Sequence, residues 1–151
     1  MASDPAGASV RVRLAEARDA CVMAVLCGQL GYPSTTKDIE WRLAQAGDGV
    51  NSVVLVADSH RDGVIGWVHV RALHLLTRDA CAELGGLVVD EARRGRGIGG
   101  RLMDAAEDWA RQQGLGTLRL RSNVVRGEAH AFYRGRGYTS SKTSLLFTKT
   151  L

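Results

Sequence analysis

The stretch Leu87-Val88-Val89-Asp90-Glu91-Ala92-Arg93-Arg94-Gly95-Arg96-Gly97-Ile98-Gly99-Gly100 constrains this chain more than any other. It opens as the end of an apolar strand. Ile98, Leu102, Ala105 and Trp109 then recur at helical spacing up to Gln113, and Gly114 supplies the stop. The loop between is rich in glycine and arginine. A helix that starts there presents backbone N–H groups without partners, at the positive end of its dipole. Glycines let an anion approach those groups closely, and Arg93, Arg94 and Arg96 add charge nearby. A strand, a tight loop and a helix N-terminus that hold a diphosphate are the natural inference.

The rest of the chain reads as elements around this centre. Ser9–Leu14 alternates as a strand. Val22, Leu26 and Leu30 mark a helix from Ala17 to Leu30, stopped by Gly31 and Pro33. Thr35 and Asp38 resemble a capping box for a second helix with Ile39, Leu43 and Ala46 on one face, ending at Gly47. Ser52–Ala57 and Val64–Leu75 form a hairpin across His60-Arg61-Asp62-Gly63, and Cys81–Val89 is the next strand. After the helix from Ile98 come a strand at Thr117–Arg121 and a short helix at Glu128–Arg136 with Ala129, Phe132 and Tyr133 on one face. One or two final strands lie between Tyr138 and Leu151. The fold class is α+β: one mixed sheet of about six to seven strands with about four helices, in the order β-α-α-β-β-β-α-β-α-β(β). No linker or repeat divides the chain, so residues 1–8 read as a tail and 9–151 as one domain.

Charge is unevenly spread. Residues 1–92 hold 8 basic and 12 acidic side chains, a balance of −4, whereas residues 93–136 hold 10 arginines and 4 acids, a balance of +6. The second half suits a polyanion, either a phosphorylated coenzyme or nucleic acid, and the first half gives faint support for a cationic acceptor. Few aromatics interleave the arginines, which argues against nucleic acid. No apolar run approaches the roughly 20 residues that span a bilayer, and the N-terminus lacks a signal pattern. A cytoplasmic protein is expected. Cys21, Cys27 and Cys81 form no Cys-x-x-Cys pair, so they read as buried reduced thiols, and no metal site is expected.

Three glycine-loop patterns compete. A P-loop needs Gly-Lys-Ser/Thr, which is absent. Gly95, Gly97 and Gly100 match the dinucleotide fingerprint, but the next strand ends Arg119-Leu120-Arg121, without the ribose-binding acid. Arg94, Gly97 and Gly99 match a third pattern, Gln/Arg-x-x-Gly-x-Gly/Ala. On these residues the chain resembles the GNAT superfamily of acyl-CoA-dependent N-acyltransferases. Leu87–Asp90 resembles that family's fourth strand, Leu120–Asn123 its fifth. Ala131-Phe132-Tyr133 with Gly137-Tyr138 resembles its last helix and exit turn. The resemblance spans about Val10 to Leu151 and is strongest over residues 83–138.

The resemblance implies an acetyltransferase that moves an acetyl group from acetyl-CoA directly to an amine of a small molecule or protein. Backbone groups of Leu87, Val88 and Val89 would bind the pantetheine arm, and an N–H near Val88 or Val89 would steady the oxyanion. Arg94, Gly95, Arg96, Gly97, Ile98, Gly99 and Gly100 would bind the diphosphate. Tyr133 matches the general acid for the departing sulfur, against a plain core aromatic. Glu83 is the candidate base, counted by twos onto the side of Val89, against a surface glutamate. His74 is the second candidate. His69 and His130 suit packing or surface roles. Asn123 would bind the coenzyme arm or cap the following turn, since its spacing to Tyr133 is about one helical turn longer than usual in the family. Tyr32 and Trp41 would line the acceptor pocket, or Trp41 would pack. A homodimer is common in the family. The competing classes are a non-catalytic acyl-CoA-binding module and an arginine-rich nucleic-acid-binding protein.

Overall fold

A computed structural model of the chain describes residues 9–46 and 49–151. The expected tail at 1–8 and the helix end at Gly47 lie outside the described residues. The chain divides into two compact units, Met1–Leu120 and Arg121–Leu151.

The first unit is built on one sheet of five strands in the order β1 (Val10–Leu14), β2 (Ser52–Ser59), β3 (Gly63–Leu75), β4 (Arg78–Val89) and β5 (Leu118–Arg119). Neighbours from β1 to β4 are antiparallel, and β4 pairs with β5 in parallel. Helices α1 (Ala20–Leu30) and α2 (Thr36–Ala46) follow β1, and α3 (Ile98–Gln112) links β4 to β5. The stop of α1 and the start of α2 follow the expected local chemistry, although α1 begins at Ala20 rather than Ala17. Gly31 adopts φ 99° at the end of α1. Thr35 and Asp38 exchange backbone-to-side-chain bonds of 2.8 and 3.1 Å, the reciprocal box that starts α2.

Alternation in β3 sends successive side chains to two apolar clusters. Val68 and Val70 meet Ile98, Leu102, Ala106 and Trp109 of α3, whereas Trp67 joins Val88 with Met23, Leu26 and Cys27 of α1 and Ile39 of α2. The inner stripe of α1 is thus Ala20, Met23, Ala24, Leu26 and Cys27. Val22 is turned outward, and Cys21 is exposed, unlike Cys27 and Cys81. Ion pairs fasten β1: the Arg13 guanidinium binds both oxygens of buried Asp19 at 2.8 and 2.9 Å and Asp58 at 2.8 Å. Arg13 holds the Asp19 carboxyl below its ordinary range, against the opposing effect of burial.

The second unit contains helix α4 (Gly127–Gly135), with Ala129, Phe132 and Tyr133 half-buried as its spacing predicts. No strand follows it among the described residues, so the sheet has five strands rather than six or seven. Residues from Tyr138 to Leu151 have strand propensity, but a strand exists only where its backbone finds a partner.

Candidate active site

Strand β4 changes character along its length. Opposite β3, His69 faces Gly86 and Val70 faces Leu84, so Gly85 is an inserted residue, a β-bulge. An ideal Cβ on Gly85 would lie 2.7 Å from His69 Nδ1, and one on Gly86 would lie 2.9 Å from the Trp67 ring. Glycine at both positions makes room for those rings. The bulge also moves the side-chain period by one. Glu83 stands opposite Arg71, on the face of Trp67 and Val88, while Val89 packs with the α3 cluster. Counting by twos put Glu83 on the side of Val89; the inserted residue reverses that.

On its other side β4 meets β5 only at Ala82 and Glu83. Beyond Glu83 the edge of Leu84–Val89 has no strand partner among the described residues, so the sheet splays open there. The strand then enters the loop. Asp90 accepts from the Ala92 amide and pairs with Arg93, which also reaches Asp62 at 3.2 Å. Burial opposes ionisation of Asp90, but bonds from Gln29, the Ala92 amide and Arg93 outweigh it and hold the carboxyl below its ordinary range. Arg93 is therefore spent on the protein's own carboxylates. Arg94 donates through Nε to the Val89 carbonyl at 3.2 Å, and Arg96 is exposed.

Gly95 and Gly97 both adopt φ 78°, the left-handed region that disfavours other residues. Gly97 is the N-cap of α3 and has no side chain to offer, so no side-chain oxygen caps the first turn. The helix ladder begins with Arg101 N–H donating to Gly97 O at 3.1 Å. That leaves the amides of Ile98, Gly99 and Gly100 ahead of it, with no acidic residue in the turn. Arg94, Gly95, Arg96, Gly97, Ile98, Gly99 and Gly100 thus come together with Leu87, Val88 and Val89 as one continuous strand–loop–helix.

Glu83 is buried, and its two oxygens hold Arg71 Nη2 at 2.8 Å and Arg119 Nε at 3.3 Å. Arg71 is half-exposed. Arg119 Nη1 is buried without a hydrogen-bond partner among the described residues, as is Trp67 Nε1. His69, on the same face, lies 2.7 Å from Ser52 Oγ through Nε2. Burial, helped by Arg71, pushes its pKa down. Sequence reasoning missed Arg71 and Arg119 as Glu83's partners. The signal available was parity: Arg71 shares the face of Trp67, and β5 must follow α3 back to the sheet. His74 is exposed and falls on the opposite face of β3, so it does not join Glu83. Tyr32 and Trp41 are both about two-thirds exposed (69% and 67%), so Trp41 does not pack in the core.

In the second unit Tyr133 sits edge-on to Phe132 and Tyr138, with ring centroids 5.2 and 5.9 Å away. Burial pushes its phenol above the ordinary value. Asn123 Oδ1 accepts from the Val125 amide at 3.1 Å, and its carbonyl meets His130 Nε2 at 2.9 Å. The turn-capping alternative for Asn123 is the one formed here.

The open parallel splay of β4 and β5 thus leads into a glycine-led helix with no side-chain cap. Residues 23–138 match the Acetyltransferase (GNAT) family, and the chain belongs to it. It is 37% identical over 89 residues to an aminoalkylphosphonate N-acetyltransferase of Salmonella typhimurium, covering 58% of this chain and 56% of that protein. It is 44% identical over 64 residues to an uncharacterised N-acetyltransferase of Bacillus subtilis, covering 42% and 44%. The chain thus spans about half the length of the curated relatives it matches. A GNAT family acetyltransferase from Staphylococcus aureus superposes with a TM-score of 0.74 at 21% identity, covering 95% of this chain and 99% of that one, which shows the fold.

Proposed function

We propose that this chain, acting as one domain over residues 9–151, transfers an acetyl group from acetyl-CoA to an amine by direct attack. The observation that carries the reading is the junction of the open β4 edge, Leu84–Val89, with the side-chain-free start of α3 at Gly97. These groups fit the donor. The first-turn amides and Arg94 and Arg96 suit a diphosphate, and the backbone groups of the Leu87–Val89 stretch that face away from β3 suit an amide-bearing arm. Acetyl-CoA supplies an activated thioester carbonyl and a thiol leaving group. An amide of Val88 or Val89 donates to the carbonyl oxygen as negative charge develops. Asn123 contributes to the arm through its amide nitrogen, because its oxygen already serves the turn. Tyr133 gives its proton to the departing sulfur, and its raised pKa keeps that proton in place at neutral pH. Glu83 takes the acceptor's proton through water while holding two guanidiniums.

The acceptor reading follows from the same face. Arg71 and Arg119 together outweigh Glu83 by one positive charge. Four of the twelve acids that tilt the first half toward a cationic acceptor are engaged by arginines elsewhere: Asp19 and Asp58 with Arg13, Asp62 and Asp90 with Arg93. The local charge favours an amine that carries its own anionic group, a class to which the substrate named for the Salmonella relative belongs.

Thiol release from acetyl-CoA, measured against amines with and without an anionic group, tests this reading. Release with at least one amine is expected. Tyr133→Phe should lower kcat roughly 100-fold and leave coenzyme affinity unchanged. Full activity in that variant removes the phenol from the chemistry. Coenzyme binding without release for any amine would leave a non-catalytic binding module.

A further inference from the structure

Three charged side chains meet at the root of the splay, all within the first unit: Arg71 of β3, Glu83 of β4 and Arg119 of β5. Register sets them in one row across the sheet, Arg71 opposite Glu83 and Glu83 beside Arg119, so all three project from one face. The ratio of charges is inverted there. Arg13 is met by Asp19 and Asp58, and Arg93 by Asp62 and Asp90, at least two carboxylates to each guanidinium. At Glu83 one carboxylate serves two guanidiniums and holds them side by side, although like charges repel.

The donors left over have one chemical meaning. A guanidinium offers five N–H donors. Arg119 spends Nε on Glu83 and leaves Nη1 buried without a hydrogen-bond partner among the described residues. Arg71 donates through Nη2 to Glu83 and its side chain is 52% exposed, so the cluster opens to solvent on that side. The neighbouring polar pair is no substitute, because His69 Nε2 and Ser52 Oγ engage each other at 2.7 Å. A buried donor without an acceptor costs free energy that a ligand oxygen restores. The group that fits is therefore an acceptor, and a negative one. A single negative charge brings the cluster to neutrality, whereas a double charge leaves an excess beside Glu83. The planar fork of arginine matches a carboxylate with two parallel bonds.

We propose that Arg71 and Arg119, held in place by Glu83, form the specificity site for a carboxylate carried by the acceptor amine. The inference rests on the acetyl-transfer reading above and narrows its acceptor to an amino carboxylate. The carboxylate lodges where β4 and β5 still pair. The stem of the acceptor leads its amine toward the open stretch, Leu84–Val89, which begins at the next residue.

Two measurements test the clamp. Thiol release from acetyl-CoA is followed with ω-amino carboxylates of one to five methylenes, with their carboxamides, and with 2-aminoethylphosphonate beside β-alanine. The best carboxylate should exceed its amide in kcat/KM by roughly 100-fold, and β-alanine should exceed the phosphonate. Arg71→Gln, at a half-exposed position, should lower the carboxylate-over-amide ratio about 10-fold, with the loss residing in KM, and Arg71→Lys should restore part of it. Calorimetry with each carboxylate, with and without coenzyme A, should show weaker binding to Arg71→Gln than to the wild type. Amides that serve as well as carboxylates, a preferred phosphonate, or a ratio unmoved by Arg71→Gln would each overturn the clamp and leave acetyl transfer standing. Carboxylate binding that Arg71→Gln abolishes, with no thiol release from any amine, would overturn acetyl transfer and leave the clamp standing. Neither release nor carboxylate binding would overturn the clamp as well.

Discussion

The two halves of β4 make opposite use of the same strand. From Arg78 to Glu83 the backbone ends in pairing on both sides, with β3 and with β5, and Glu83 locks the end by holding Arg71 and Arg119. From Leu84 to Val89 only β3 pairs among the described residues, and the strand runs into a helix whose N-cap offers no side-chain bond. Between the halves stands the single inserted residue, Gly85. A buried sheet normally satisfies every backbone group, so a strand left open beside a closed stretch of itself leaves backbone groups for another partner to satisfy.

The largest effect that sharpens this contrast is expected at the open half. Gly99→Asp places a carboxylate on the first-turn amides, where it competes with a diphosphate and suits the helix dipole. Calorimetry should show coenzyme affinity reduced on the order of 100-fold with no loss of thermal stability, a pairing of outcomes that a folding defect cannot mimic. Undiminished affinity breaks the contrast. At the closed half, Glu83→Leu leaves Arg119 without its carboxylate. Breaking a fully buried pair costs about 3–5 kcal/mol; with Arg71 half in solvent, about 2 kcal/mol is expected from urea unfolding. Gly66 supports the junction from β3, where a Cβ would stand 2.8 Å from the Val88 carbonyl oxygen. Gly66→Ala should cost between about 1 and 3 kcal/mol because backbone must move. At Gly97 a Cβ meets nothing within 4 Å, so Gly97→Ala pays only for its positive φ, about 1 kcal/mol.

The smallest effect is a pH dependence at the bulge. His69 has a folded pKa below its ordinary value near 6.5. The unfolded chain therefore binds a proton that the folded chain refuses, and stability declines as pH falls below about 6.5 toward the lowered value. Thermal midpoints should fall toward low pH across that window in the wild type, by less than the losses expected of Glu83→Leu and Gly66→Ala, and His69→Gln should flatten the slope. An equal slope in both proteins would assign it to another group.

The glycine loop, the capping box at Thr35 and Asp38 and the α3 stripe were legible because each is local: spacing and cap chemistry act within one or two helical turns. Even there one detail shifted, since Ala106 rather than Ala105 is fully buried. The bulge was not legible, since a period-two pattern carries no mark of an inserted residue and Gly85-Gly86 reads equally as a weak strand. Glu83's partners were hidden for the same reason that β5 was over-long in the reading: cross-sheet neighbours depend on register, which the sequence of one strand does not contain. Val22 was misplaced because α1 is apolar on both faces, with Val22 and Val25 outside and Ala20, Met23, Ala24, Leu26 and Cys27 inside, so spacing alone does not choose the buried side.

Gln29 joins elements that the chain order keeps sixty residues apart. Its amide nitrogen donates to Asp90 Oδ1 at 3.3 Å and its oxygen accepts from the Glu91 amide at 2.9 Å. The C-terminal turn of α1 is thereby buttoned to the threshold of the glycine loop. An outward swing of either must first break both bonds, so Gln29 ties the position of the loop's entrance to the end of α1.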